Sequence, residues 1–254
     1  MVYGLWLSAA GLQANQYRQD VIANNLANVE TVGFKRDLAV FTERAVASRE
    51  ALGDPTMSDP TLDRMSGGTF VAPTYTCFEQ GSIVPTDRPL DAALQGEGFF
   101  TVRDAAGVRY TRDGRFAVDA QGNLVTVSGE RPVLNDAGQP IQVPPEQIGN
   151  VRLAQDGTVL AGGSPVGRLG IVDFADRTAL RKTGSNLLEA AAGAQARPAS
   201  ASVLAGAVEA STVDPTTTMV GMIEAARAYQ MNATMISMQD TMLGRAANDI
   251  AKLA

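Results

Sequence analysis

The chain has no histidine. That removes the commonest general base at neutral pH and the commonest zinc ligand, and it makes any triad built on a histidine base impossible within this chain. Cysteine occurs once, as Cys77, so no disulfide can close inside the chain. Its plain reading is a small apolar strand residue, since nothing beside it in sequence marks a reactive thiol. No apolar run reaches the roughly 18 residues that a membrane span needs. Lysine- and arginine-rich runs are missing as well, and the formal net charge is -6. A general nucleic-acid binder or a polybasic membrane patch would need the opposite balance.

The first residues, Met1 to Leu7, carry no basic region, and the chain turns polar at Gln13, early for a secretory signal. The expectation is a chain that is cytoplasmic or exported by a route that keeps its N-terminus. Its 254 residues suffice for one large core or two to three small ones.

What the sequence does have is two long amphipathic ends. Residues 2–29 place Leu5, Ser8, Leu12, Asn15, Gln19, Ile22, Leu26 and Val29 in a 3–4 spacing on one helix face. Residues 215–254 do the same with Met222, Ala226, Tyr229, Ala233, Ile236, Asp240, Leu243, Ala247 and Ile250. Beside that row runs a second, Met231, Met235, Met238 and Met242. One row suits a partner within the chain; two rows imply a second neighbour, and methionine adapts to surfaces that are not identical. Asp214-Pro215 reads as N-cap and first helical residue. Asn24, Asn25 and Asn28 end the first helix, and Gly33 turns the chain.

Between the ends the pattern is β. Apolar stretches at Ala92–Leu94, Phe99–Val102, Val108–Thr111, Arg115–Val118, Leu124–Val127, Ile141–Val143, Val151–Leu153, Thr158–Leu160 and Gly167–Phe174 alternate with turn chemistry such as Asp104 to Gly107, Asp113-Gly114 and Asp119 to Gly122. Short strands at this spacing fit a compact all-β sandwich or barrel-like module. Residues 42–75 read as an extended connection and the alanine-rich residues 190–202 as a mobile loop.

Motifs that would carry chemistry are weak. Gly96-Glu97-Gly98 lacks the third glycine and the following helix of a phosphate loop. Asp119 to Gly122 lacks the spacing and terminal glutamate of a calcium loop, so a hairpin turn is the better reading. Glu79, Asp87, Asp91 and Glu97 could supply a carboxylate pair for glycan chemistry, or could simply be solvated. Tyr229 lies on the apolar row, where packing is its expected role, while Arg227 either pairs with a carboxylate on a neighbouring helix or is solvated.

One segment is specific. Ala23-Asn-Asn-Leu-Ala-Asn-Val-Glu-Thr-Val-Gly-Phe-Lys-Arg36, following Gly4 to Leu12, resembles the N-terminal signature of flagellar rod and hook proteins. Its signature residues here are Asn24, Asn25, Leu26, Ala27, Asn28, Gly33 and Phe34. Arg88 to Leu94 with Gly96, Gly98 and Phe99 resembles the family's central segment, and Tyr110 to Phe116 its hairpin. Val203 to Gly206, Glu209-Ala-Ser211 and the residues around Arg227 and Tyr229 resemble its C-terminal signature. Thr212 departs from the pattern, which usually shows Asn there. The resemblance covers nearly the whole chain outside residues 42–72. Length and layout are similar to the rod proteins rather than the longer hook protein, the proximal-rod type before the distal-rod type.

The resemblance implies a non-enzymatic subunit of the basal-body rod, exported by the flagellar type III apparatus without a cleaved signal and binding no cofactor or metal. Its implied partners are other rod proteins, copies of itself and the export apparatus, with no nucleic acid and no membrane insertion. The expected fold is α+β. Residues 1–35 and 215–254 would pair as a discontinuous coiled coil, residues 36–75 would connect, and residues 76–214 would form the β-rich domain. The expected assembly interface is Leu5, Leu12, Ile22, Leu26, Met222, Ala226, Tyr229, Ala233, Ile236, Leu243 and Ile250, with the helix ends partly disordered before assembly. A coiled-coil adaptor that never polymerises and a β-domain glycan enzyme are the rival readings.

Overall fold

The computed structural model of the chain describes residues 2–43 and 68–253. These residues form two compact units, each interrupted in sequence.

The first unit holds helix α1 (Val2–Ala27), strands β1 (Asp37–Glu43) and β2 (Thr69–Thr76), and helix α2 (Pro215–Leu253). The asparagines stop α1 at Ala27, six residues before Gly33, because short polar side chains compete with the helix for backbone hydrogen bonds. Asn28 instead accepts hydrogen bonds from Thr31, N–H to carbonyl at 3.2 Å and Oγ1 to Oδ1 at 3.1 Å. Helix α2 runs 39 residues, about 58 Å at 1.5 Å per residue, from a proline already set to a helical φ. Strands β1 and β2 pair as a two-stranded ribbon, so the segment expected as a plain extended connection is hydrogen-bonded at both ends. Residues 44–67 of that connection lie outside the described residues.

The second unit comprises residues 28–36 and 76–214. Residues 28–36 belong to this unit; the expectation placed residues 28–35 with the terminal helices and Arg36 in the connection. Its largest sheet is antiparallel and six-stranded, in the order β13 (Leu180–Gly184), β14 (Leu187–Ala190), β6 (Gly107–Thr111), β5 (Phe99–Asp104), β12 (Ile171–Phe174), β15 (Ala196–Pro198). A three-stranded sheet joins β11 (Ser164–Arg168), β10 (Thr158–Ala161) and β9 (Val151–Leu153). Three pairs complete the unit: β16 (Ser202–Ala205) with β4 (Ala92–Gln95), β17 (Ala207–Glu209) with β3 (Ile83–Pro85), and β7 (Phe116–Val118) with β8 (Leu124–Thr126). The end strands β13 and β15 do not meet, so of the expected sandwich or barrel-like forms the sheet does not close as a barrel.

Strand β5 is buried on both faces, because successive side chains point to opposite sides and each side meets its own core. Leu94, Phe100, Val102, Phe116, Leu124, Val133, Ile141 and Val159 share one core, where Phe100 and Phe116 meet edge to face at 5.2 Å. Phe99, Phe174, Leu180 and Leu188 form a second core. The stretch expected as one strand at Gly167–Phe174 is two, β11 and β12, broken at Leu169-Gly170. The alanine-rich segment at 190–202 contains β15, paired with β12 through Val172 opposite Pro198 and Phe174 opposite Ala196. Alanine has little strand preference of its own, and the neighbouring strand overrides it.

Candidate assembly surface

Three close approaches fix how α1 and α2 meet. A Cβ at Gly4 would stand 3.0 Å from the Gln239 side chain, one at Gly11 3.1 Å from Asn232, and one at Gly221 3.7 Å from Ile22. The numbers rise in one helix as they fall in the other, so the helices lie antiparallel, with small residues at the closest points. Leu5, Leu12, Ile22 and Leu26 on α1 are half-buried, and Ser8, Val21 and Asn25 are buried. On α2, Met222, Ala226, Tyr229, Ala233, Ile236 and Leu243 are half-buried around the fully buried Ala225, while Asp240 is exposed. The side chain of Ile250 lies outside the described residues. On this register Val2 falls opposite about residue 241, and α2 continues for roughly 18 Å past the start of α1.

The second methionine row is exposed. Met231 and Met242 show 65% and 63% of their surface, with Met235 and Met238 between them; Val220 extends the row toward the N-terminal end, and Met219 and Ile223 are exposed elsewhere around the helix. At 3.6 residues per turn the methionines sit roughly 100° around the helix from Ala225. A helix face this apolar and this bare is a mark of an interaction surface. Arg227 is exposed on the same helix.

The ribbon adds a third apolar surface. Leu38, Phe41, Phe70, Val71 and Tyr75 are exposed on it. A two-stranded ribbon is marginal alone, and α1 holds this one. Asn25 donates from Nδ2 to the Asp37 carbonyl at 2.7 Å and accepts the Asp37 N–H on Oδ1 at 2.9 Å. A Cβ at Gly68 would meet Trp6 at 2.9 Å. Of the other signature residues, Asn24 and Ala27 are exposed and Asn28 is half-buried.

In the second unit the signature residues after Asn28 form a strap. Gly33 has φ +69°, and a Cβ there would come within 2.4 Å of the Arg112 carbonyl carbon, so only glycine fits. Its N–H donates to the Glu209 carbonyl at 2.7 Å. Phe34 is buried with Lys182 Nζ 4.0 Å above its ring. Thr212 donates its N–H to the Phe34 carbonyl at 3.0 Å, and its Oγ1 accepts the Arg36 N–H at 2.9 Å. Thr212, expected from the resemblance to stand where Asn is usual, therefore clasps the strap.

Lys35 Nζ lies 2.5 Å from Glu209 Oε1 and donates to the Glu79 carbonyl at 2.6 Å. Glu209 is wholly buried. Its Oε1 also accepts the Gly81 N–H at 2.8 Å, and its Oε2 accepts Arg112 Nη1 at 3.0 Å. Arg112 donates from Nη2 to the Gly96 carbonyl at 2.7 Å and lies over the Phe99 ring at 5.4 Å. Burial pushes the Lys35 ammonium down from the usual lysine range, with Glu209 pulling it back and Arg112 adding to the fall. Burial lowers Arg112 too, against the same pull from Glu209. Sequence reasoning met Lys35, Arg112 and Glu209 only inside longer matching segments and gave none of them a role of its own. The available signal was a lone acidic residue inside the apolar run Ala207 to Ala210.

Gly96 joins this network through its carbonyl, and Gly98 allows a close approach of the chain at Ala199. Gly96 donates its N–H to Gln80 Oε1 at 3.0 Å, and a Cβ at Gly98 would meet Ala199 at 2.8 Å. Phe99 is core. Among the candidate carboxylates, Glu79 faces Arg36 at 3.1 Å, Asp91 accepts Thr86 Oγ1 at 2.8 Å, and Glu97 faces Arg177 at 2.6 Å. Asp87 is exposed. The Asp119 carboxylate closes its own turn, taking the N–H groups of Gln121 and Asn123. Among the described residues no three His, Cys, Asp or Glu side chains are grouped to hold a metal, and no helix is long and apolar enough to cross a membrane.

An antiparallel helix pair whose longer member exposes an apolar row, in a chain that also carries a separate β unit, marks a protein that works through a surface. Comparison with known proteins says of which family. Residues 7–35 match the flagella basal body rod protein model, residues 93–161 the flagellar hook protein FlgE/F/G D1 domain, and residues 204–249 the flagellar basal body rod FlgEFG protein C-terminal region. The flagellar basal-body rod protein FlgG of Buchnera aphidicola from Schizaphis graminum is 36% identical over 96% of this chain and 98% of its own. FlgF of Caulobacter vibrioides is 39% identical over 85% of each chain. FlgG of Borreliella burgdorferi is 34% identical over 98% of each. The chain belongs to the flagellar basal-body rod protein family, a family of structural proteins rather than enzymes.

Proposed function

We propose that the chain is a structural subunit of the flagellar rod that polymerises through its terminal helices into the axial tube carrying torque from motor to hook. The observation that carries this reading is the bare methionine row beside a row already engaged with α1. The engaged row, with Leu5, Leu12, Ile22 and Leu26 facing Met222, Ala226, Tyr229, Ala233 and Ile236, forms a coiled-coil pair within the subunit. The free row, with the overhanging end that includes Leu243 and Ile250, meets copies and neighbouring rod proteins. A head-to-tail contact that does not close on itself yields a helical filament, and close packing at each contact transmits load. The helix ends complete their order in the assembly, and the subunit leaves the cytoplasm by flagellar type III export.

Within the rod the proximal position, that of FlgF, is the first reading, supported by the 39% identity to a FlgF protein. The distal position, that of FlgG, is favoured by a different observation, the near-complete coverage by FlgG relatives. A tag in residues 44–67, located by electron microscopy in purified basal bodies, separates them. Label at the proximal end of the rod supports the first reading and label in the distal rod the second. A finite soluble complex with no label in the basal body would leave a non-polymerising adaptor.

A further inference from the structure

The second unit is closed by its last segment. Strand β17 pairs with β3, placing Ala207 opposite Pro85 and Glu209 opposite Ile83. Ala210 donates to the Ser82 carbonyl at 2.8 Å. The same segment binds the Gly33 N–H, the Phe34 carbonyl and the Arg36 N–H, while Asn186 Nδ2 donates to the Val32 carbonyl at 2.7 Å and the Cys77 N–H to the Arg36 carbonyl at 2.9 Å. Within it Glu209 is the single anion bound to both Lys35 and Arg112, whose side chains are only 3% and 5% exposed. Without that carboxylate two buried cations would face each other with no shared counter-ion, and an unpaired buried charge costs far more than the pair contributes. Strap and closing strand lie 174 residues apart.

We infer that Glu209 is a folding latch: its charge admits Lys35, Arg112 and the 28–36 strap to the core together, so a chain delivered N-terminus first cannot complete this unit until residue 209 has arrived. The latch rests on contacts within the β unit and is independent of how the subunit assembles.

Two measurements on the full chain test it. In an optical trap, with tethers at residue 150 and the C-terminus, extension removes α2 and then residues 207–214. The unit should be lost in one step with that segment; a persistent stage that keeps the remaining strands folded after residues 207–214 leave would overturn the latch. In amide exchange, Lys35→Met leaves Glu209 and Arg112 balanced, whereas Glu209→Gln leaves two uncompensated cations. Exchange at the core strands β5 and β8 should therefore accelerate about a hundredfold or more in Glu209→Gln but far less in Lys35→Met. A Glu209→Gln chain that does not fold beside a Lys35→Met chain that does is the same result in stronger form. Equal effects of the two substitutions, including failure of both to fold, would overturn it.

Discussion

Asn25 and Asp37 hold each other through a two-way hydrogen bond, side-chain amide to backbone, across the turn that follows α1. A signature residue thus ties the ribbon to the helix. Asn25→Ala leaves the Asp37 N–H and carbonyl without this partner, and each lost buried hydrogen bond costs about 1–3 kcal/mol. We expect faster amide exchange in β1 with the second unit unchanged. Asn25→Asp should be no better, because a carboxylate cannot donate to the Asp37 carbonyl. Unaltered β1 protection in both variants would remove Asn25 from this role.

The two rows on α2 should separate by mutation. Met235→Asp alters an exposed position, so the isolated chain should keep its helical circular dichroism and melting curve while filament or rod assembly fails. Ile236→Asp places a charge on the half-buried row and should lower the melting point of the helix pair itself, by roughly 2–4 kcal/mol of stability. Leu243→Asp, on the overhang, should behave like Met235→Asp. Normal rods from Met235→Asp subunits would show that the methionine row is not an interface.

Gly33→Ala tests the strap. The new Cβ meets the Arg112 backbone and must adopt a left-handed φ. The conformation alone costs about 1–2 kcal/mol, and the collision adds to it. The β unit should melt earlier, whereas Gly138→Ala, also at positive φ but with open space around its Cβ, should lose only the conformational part. Equal losses at the two sites would mean that the strap yields freely.

Acid should weaken the β unit through Asp173. Burial raises its pKa, but hydrogen bonds from Arg197 at 2.7 Å and Arg177 at 3.1 Å outweigh burial and hold the carboxyl below the ordinary aspartate range. The folded state therefore binds this proton less readily than the unfolded chain. The resulting stability is present above the unfolded value, near 4, and is lost as pH falls through the folded one. Denaturant midpoints measured from pH 6 down to pH 2 should fall more for the parent chain than for Asp173→Asn. Parallel curves would assign the acid sensitivity to other carboxylates.

Much of this molecule could be read along the chain, because its rules there are local. A 3–4 spacing makes a helix face wherever it occurs, so both terminal helices and the separate methionine row were legible, as were the hairpin turns at Asp104 to Gly107 and Asp119 to Gly122. Strands β13 and β14 were not: Leu180 to Gly184 mixes Arg and Lys with apolar residues, and its strand state comes from pairing with Leu187 to Ala190. The alanine-rich segment misled for the same reason, since Ala196 to Pro198 is a strand only beside Val172 and Phe174.

By itself the sequence determined the helical ends, the glycine turn, the lack of histidine chemistry and the family. Tertiary structure alone decided which α2 row is covered and which is bare, that the large sheet stays open at β13 and β15, and that Lys35 meets Glu209. The first depends on the antiparallel register of two distant helices. The second depends on which strands find partners. The third depends on a charge whose partner lies 174 residues away, and no local pattern can report a contact made only when the chain has closed on itself.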